Sequence, residues 1–205
     1  MHPLLGVLIS YLAGSIPFAY LAGKARGVDL RKHGSGNLGA SNAVRVLGPR
    51  IGALVYVGDT LKGLLPVLLL PLRINSPDPE VWAIVFGLAA VLGHVRPIFL
   101  LGKGGGKGVA TAGGVFLGLA WLPTIISAAV FMIVIGIVRI SSVASLSAAV
   151  TLPIAILVSA GPQSPLFMMS LAVLALVIWT HRSNIRRLRR GEEPRIGRKA
   201  EVSAQ

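Results

Sequence analysis

The sequence predicts an all-α, polytopic membrane protein of about seven transmembrane helices, with its N-terminus outside and its C-terminus in the cytoplasm. Three observations carry this expectation. Of 205 residues, 54% are hydrophobic and only 13% charged, about half the charged share of an ordinary soluble domain. The apolar residues fall in consecutive spans, and mean hydropathy is +0.76. Lys and Arg lie almost wholly between alternate spans. A chain this apolar cannot clothe a core in polar surface, which argues against a soluble helical protein. The net charge of +13 would suit a nucleic-acid partner if it formed one patch. It lies instead in short blocks beside apolar spans, as the positive-inside rule requires, so no nucleic-acid partner is expected.

The spans run over 3–23, 49–72, 80–101, 109–123, 124–138, 143–160 and 166–181. A helix needs about 20 apolar residues to cross the hydrocarbon, and the fourth and fifth fall short of that. The first has only His2 as a basic group ahead of it, while Lys24, Arg26, Arg31 and Lys32 follow it. A signal peptide has the reverse order, so this span is expected to be retained. Odd-numbered spans then end inside. The inner loops are 24–48, 102–108, 139–142 and a basic tail of about 182–205. With flanking positions counted, they hold every Lys and Arg except Arg73, which is outside, and Lys62, which is within a span. Outer turns are expected at Asn75-Ser76-Pro77-Asp78-Pro79, Leu122-Pro123 and Gly161-Pro162-Gln163-Ser164-Pro165, all helix breakers. Gly114 and Gly118 have small-xxx-small spacing, which suits close helix packing. No repeat or linker divides residues 1–205, and with no Cys there are no disulfides or thiolate metal sites.

Topology leaves several stretches unexplained. The first is His33-Gly34-Ser35-Gly36-Asn37-Leu38-Gly39-Ala40-Ser41-Asn42, followed by Arg45. Glycine lets backbone approach a ligand, successive amides make anion nests, and Arg can fork onto a phosphate. Gly34, Gly36 and Gly39 imitate a dinucleotide fingerprint, with Asp59 downstream. That fingerprint needs a preceding strand, whereas Gly27–Lys32 is basic and polar. The second stretch is Gly102-Lys103-Gly104-Gly105-Gly106-Lys107-Gly108, with Thr111 beyond it. It suits phosphate binding ahead of a helix, yet it is not a Walker A loop: Leu101 stands at the required Gly and Gly108 at the required Ser or Thr. Asp59 and Lys62 lie within the second span and share a helix face. Intramembrane charges are functional candidates by default. His94 ends the third span, His181 and Asn184 end the last, and Ser141, Ser142 and Ser145 begin the sixth. The inventory is rich in amides, Lys, Arg, Ser, Asn and His, and lacks the carboxylate or His cluster a metal site wants. No metal or cofactor is expected.

Taken together, these residues resemble the PlsY-type acyl-phosphate:glycerol-3-phosphate acyltransferases. The similar motifs are GSGNLGASNAVR at 34–45, Asp59 with Lys62-Gly63, GHVRPIFL from Gly93, GGKGVAT at 105–111 and HRSNIRRLRRGEEPRI at 181–196. They span 34–196 in the expected order. The sequence departs from that pattern at Ser41, where the family has Thr. It departs again at Arg96, an unexpected charge, and between Lys103 and Lys107, which are three glycines apart.

The resemblance implies acyl transfer from acyl phosphate to glycerol 3-phosphate in phospholipid biosynthesis. The products are 1-acylglycerol 3-phosphate (lysophosphatidic acid) and phosphate. It also implies a seven-helix fold in the inner membrane with the site facing the cytoplasm among membrane lipids. The expected catalytic residues are Ser35, Arg45, His94, Lys107, Ser142, His181 and Asn184. The expected substrate and phosphate ligands are Gly34, Gly36, Asn37, Gly39, Ser41, Asn42, Lys62, Lys103, Gly104, Gly105, Gly106, Gly108 and Thr111. The donor phosphate is assigned to the 34–41 and 104–108 loops, and the acceptor to Arg45, Lys107, Ser142, His181 and Asn184. No Ser sits in a nucleophile elbow. The Asp position of an H-x-x-x-x-D acyltransferase motif holds Val7, Leu38, Phe99 and Arg186 after the four His. Direct attack by the glycerol hydroxyl is therefore expected, with His94 either orienting a loop or assisting proton transfer, and the leaving phosphate as the other acceptor of the proton. The alternatives are a transporter of phosphorylated solutes, whose site would lie near the midplane between repeats, and a lipid-binding subunit.

Overall fold

A computed structural model of the chain describes residues 1–196. Arg198, Lys199 and the C-terminus, part of the expected basic tail, lie outside the described residues. Every regular element among the described residues is helical. Helices α1 (Pro3–Ser15) and α2 (Phe18–Lys24) are two halves of the first span. The break falls at Ile16-Pro17 because proline brings no N–H and drives the residue before it out of the helical region. Ile16 is accordingly extended, at φ −60°, ψ 115°. A short amphipathic helix, α3 (Ala40–Leu47), leads into α4 (Pro49–Leu69). Then come α5 (Pro79–Val95), α6 (Val109–Leu119), α7 (Trp121–Val138), α8 (Ser141–Ala160), α9 (Pro165–Thr180) and α10 (Arg182–Arg189). Short 3-10 turns follow α4 (Pro71–Arg73) and α5 (Ile98–Leu100).

Each of the seven expected spans is helical, but not each is long enough to cross. Five stretches have the length and composition: Pro3–Lys24, Pro49–Arg73, Pro79–Leu100, Trp121–Val138 and Ser141–Ala160. Helices α9 and α10 together would make a sixth, bent by 57°. Helix α6 has 11 residues, about 16 Å at 1.5 Å per residue, against roughly 30 Å of hydrocarbon. The expected turn at Leu122-Pro123 is also corrected. The chain breaks at Ala120, at φ −151°, ψ 67°, and Pro123 lies in the first turn of α7, where a missing N–H leaves nothing unpaired.

Glycines let the helices meet backbone to backbone. A Cβ at Gly14 would overlap the Ala90 carbonyl, and one at Gly114 the Thr60 carbonyl. These contacts join α1 to α5 and α6 to α4, so Gly114 does mark a close crossing. Val91, Val115, Phe116, Ile156, Val173 and Val177 form a core among α5, α6, α8 and α9. The outer surface is apolar as well: Met132, Ile133 and Ile137 of α7 are exposed, as lipid-facing side chains should be.

Candidate active site

Two loops and four helix starts build the site. The loop between α2 and α3 is anchored by Leu30, which is buried. It is stiffened by Asp29, whose carboxylate accepts from the Arg31 backbone at 3.0 Å and from its guanidinium at 2.8 Å. The hydrogen bonds from Arg31 hold the Asp29 carboxyl down at about 2. From α3, the buried Asn42 reaches back into this loop. It accepts from the Ser35 backbone N–H at 2.8 Å and donates to the Leu30 and His33 carbonyls at 3.1 Å each. Gly34, at φ +62°, lies so close to the Asn42 amide that a Cβ there would overlap it. The glycine loop is pinned to the end of α5 in the same manner. Gly106 N–H donates to the His94 carbonyl at 3.2 Å, and Gly105 and Gly106 lie flat against Val95 and the His94 ring.

Between these loops is a cavity of about 120 Å³. Ser35, Arg45, His94, Lys107, Ser142, His181 and Asn184, named from positions 35 to 184, all line it. So do Asn37, Gly39, Ser41, Asn42 and Gly108. Arg45 has no hydrogen-bond or ion-pair partner among the described residues. Ser41 Oγ lies 2.7 Å from Ser141 Oγ, linking the first turns of α3 and α8.

The other expected ligands sit elsewhere. Gly34 and Gly36 shape the loop behind the cavity, and Lys103 is exposed. Thr111 is buried at the α4–α6 crossing, with Oγ1 lacking a hydrogen-bond partner among the described residues. Lys62, Gly104, Gly105 and Gly106 line a smaller space of about 10 Å³, and Asp59 and His94 line both spaces. Lys62 is committed to protein groups: its Nζ is 2.8 Å from Asp59 Oδ1 and donates to the Ile16 carbonyl at 2.7 Å. His94 Nδ1 faces the same Asp59 oxygen at 3.6 Å.

Of the charged residues of the site, one could not be found in the sequence, and the apolar wall of the cavity could not either. Glu193, with its side chain 6% exposed, folds back from the end of α10. Its Oε1 accepts from Ser142 Oγ at 2.7 Å and from Asn184 Nδ2, and its Oε2 accepts from Arg187 Nε at 2.7 Å. Asn184 Oδ1 in turn accepts from Lys107 Nζ at 2.6 Å. Burial pushes the Glu193 carboxyl up, but hydrogen bonds from Asn184, Ser142 and Arg187 outweigh it and hold the group below its usual range. Lys107 is pushed down to about 8, chiefly by burial, with Glu193 opposing the shift. The available signal was the Gly191-Glu192-Glu193-Pro194 run that follows the arginines.

Helix starts supply the field. α3, α6, α8 and α10 follow the N-cap residues Gly39, Gly108, Ile140 and His181, none of which caps its helix with a side-chain hydrogen bond among the described residues. The first turns of α3, α6 and α8 line the cavity, and α10 contributes His181 and Asn184. A helix start leaves its first N–H groups without helical partners and carries roughly half a positive charge. Four of them with Arg45 and Lys107 make a strong anion site. The remaining wall is apolar or aromatic, from Tyr56, Val109, Ala110 and Phe131.

Comparison with known proteins agrees with this chemistry. A family model described as glycerol-3-phosphate acyltransferase matches residues 4–191. A glycerol-3-phosphate acyltransferase of Prochlorococcus marinus is 43% identical over 198 residues, covering 95% of this chain and 98% of that protein. One from Geotalea daltonii is 47% identical over 187 residues, covering 91% and 94%. Two crystal structures of PlsY, an integral membrane glycerol 3-phosphate acyltransferase, are similar at 38% identity. Its glycerol 3-phosphate form has a TM-score of 0.88, with 95% of this chain and 96% of that chain covered. Its lysophosphatidic acid form has a TM-score of 0.85, with 95% of each covered. With nearly the whole chain matched in sequence and in shape, the protein belongs to the glycerol-3-phosphate acyltransferase family of integral membrane enzymes.

Proposed function

We propose that this acyltransferase moves an acyl chain from an acyl phosphate to glycerol 3-phosphate at the cytoplasmic face of the inner membrane, releasing lysophosphatidic acid and inorganic phosphate. The observation that carries the reading is the meeting of four uncapped helix starts, Arg45 and Lys107 around one cavity with an apolar wall. Both substrates carry phosphate, and one also carries a chain that belongs in lipid. The first turns of α3 and α6, with Ser35 and Asn37, hold the donor phosphate. Arg45, Lys107, Ser142, His181 and Asn184 hold the acceptor. Tyr56, Val109 and Phe131 guide the acyl chain towards the bilayer.

The acceptor hydroxyl oxygen attacks the acyl carbonyl carbon. The bond from that carbon to the phosphate oxygen breaks, and phosphate leaves with the electron pair. Catalysis is by positioning and charge stabilisation. The hydroxyl proton passes to the leaving phosphate, because His94 turns one nitrogen to Asp59 and the other to Gly106. His94 therefore holds the glycine loop. Gly34, Gly36, Lys62, Gly104, Gly105, Gly106 and Thr111 act through the shape of the loops and the α4–α6 crossing, and the exposed Lys103 acts through its charge.

The cytoplasmic orientation rests on the positions of Lys and Arg. A transporter site would lie between repeats near the midplane; this cavity is lined mostly by loops and the first turns of helices. The test is purified protein with glycerol 3-phosphate and either acyl phosphate or acyl-CoA. Lysophosphatidic acid is expected from acyl phosphate alone. Product only from acyl-CoA, or none from either, overturns the proposal.

A further inference from the structure

Away from the cavity, Trp179 in the last turn of α9 is 45% exposed. The Arg182 guanidinium carbon lies 4.7 Å from its ring centre and that of Arg96 lies 5.5 Å away, both within cation–π range. Arg182 also donates to the Trp179 carbonyl at 3.0 Å, and Arg96 to the Gly102 carbonyl at 3.3 Å. Among the described residues neither guanidinium has a carboxylate within ion-pair distance. Two like charges thus share one ring, and each has most of its five N–H donors unused.

The chain directly after Arg96 turns apolar side chains outward. Ile98 and Phe99 are exposed, and Leu101 is 88% exposed. Leu101 is one of two non-glycine residues with positive φ among the described residues, at +53°, a conformation bulky side chains rarely adopt. An aromatic ring with basic groups beside protruding apolar side chains is the composition of a membrane–water boundary.

We infer that Arg96, Trp179 and Arg182 bind the phosphate of an anionic phospholipid headgroup, while Ile98, Phe99 and Leu101 enter the acyl layer beside it. The planar guanidinium matches a phosphate with two parallel hydrogen bonds. The apolar side chains select a membrane lipid over a soluble phosphate, since only a lipid covers them. The site is also placed to act on the glycine loop. Arg96 follows His94 and Val95, against which Gly105 and Gly106 pack, and its own fork holds Gly102. A headgroup that fixes Arg96 fixes the base of that loop, so anionic lipid is expected to raise turnover. This coupling rests on the proposed reaction; the binding does not.

The test uses the full chain in nanodiscs of phosphatidylcholine, with or without phosphatidylglycerol. Thermal unfolding and native mass spectrometry read binding; acyl transfer reads coupling. Phosphatidylglycerol is expected to raise the unfolding midpoint of the parent and to remain bound. Arg96→Gln and Arg182→Gln should each lose at least half of that shift. The double variant Arg189→Gln/Arg190→Gln, which removes two exposed charges elsewhere, should keep it. In phosphatidylcholine alone, Arg182→Gln should match the parent in rate. Inorganic phosphate should shift the parent and Arg96→Gln equally. If the tail variant loses as much as the ring variants, only general surface charge is at work and the site is overturned. A phosphate shift that disappears in Arg96→Gln overturns the lipid as ligand. If Arg96→Gln does not fold, Arg182→Gln decides the outcome. Intact lipid binding without acyl transfer in any lipid would refute the proposed reaction and leave the site standing.

Discussion

Glu193→Gln should disable the enzyme while changing its shape very little. The carboxylate takes hydrogen bonds from Ser142, Asn184 and Arg187, so both oxygens must accept. A Gln amide offers one accepting oxygen and one donating nitrogen. With the oxygen towards Ser142 and Asn184, the amide nitrogen meets the Arg187 N–H, donor against donor. With the oxygen towards Arg187, the nitrogen meets Asn184 Nδ2, again donor against donor, and only the Ser142 hydroxyl can turn to accept. Hydrogen bonds to charged groups contribute about 1.5–3 kcal/mol each, and an unsatisfied buried group costs about 1–3 kcal/mol. Losing one such bond and the charge behind the others gives a deficit of about 2–4 kcal/mol. Part of it should appear in stability and part in the placement of Asn184, which carries Lys107. A drop of about 1.4 kcal/mol or more in transition-state stabilisation is tenfold or more in kcat/KM. Steady-state kinetics across glycerol 3-phosphate concentrations, with thermal unfolding in parallel, measure both. Parental kinetics and parental unfolding together would show that Glu193 does not organise this site.

Four further outcomes follow from the same geometry. Activity should fall as pH rises through about 8, because Lys107 then loses the charge that holds phosphate. Glu193 is the group that raises the Lys107 pKa, so in Glu193→Gln the fall should begin at lower pH; a kcat/KM profile without that shift refutes the link. Arg45→Lys keeps the charge and loses the fork, so about a tenfold or greater loss in kcat/KM for glycerol 3-phosphate is expected, and an unchanged value removes Arg45 as a phosphate ligand. Gly106→Ala should cost at least about tenfold in kcat/KM because its Cβ would overlap the His94 ring, whereas Gly136→Ala meets open space and should leave activity intact; equal effects would break the argument. A fluorescent reporter active only in the cytoplasm should glow when fused to the C-terminus, and a dark full-length fusion would invert the topology.

How far the sequence reaches is clearest at individual residues. Ser35, Arg45, Lys107 and Asn184 were visible because polar and glycine-rich stretches are conspicuous between apolar spans, and they line one cavity. Glu193 was not visible, because it reaches Ser142 only through a reversal at Gly191, φ +70°, and no periodicity records such a fold-back. Asn42 is a ligand candidate by residue type. Its position on the cavity wall fits that, but its amide is already bonded to the loop on both sides. Helix α3 went unread because Gly, Ser and Asn at its start masked its apolar period. The short α6 was legible as a separate span over 109–123, but its end was not: residues on both sides of Ala120 are apolar, so composition does not fix the boundary with α7. Pro17 was in plain view, but one proline in an apolar run signals a break only when a partner for the displaced backbone is known.

That partner bears on how the chain is assembled in the bilayer. Charged groups near the middle of an inserting helix carry a penalty of about 2.5–3.5 kcal/mol each on insertion scales. Helix α4 brings in both Asp59 and Lys62. Their mutual contact lessens the penalty, and the Ile16 carbonyl gives the ammonium a second acceptor. That carbonyl is turned out of the helical ladder only where Pro17 interrupts the first span. Each segment therefore carries a defect that the other repairs, and neither is comfortable in lipid alone. The order of synthesis suits this: the interrupted span emerges first and awaits α4. A chain whose first span is deleted would present α4 to the insertion machinery with its charge pair half satisfied. It should be removed by membrane quality control before the catalytic loops are ever formed.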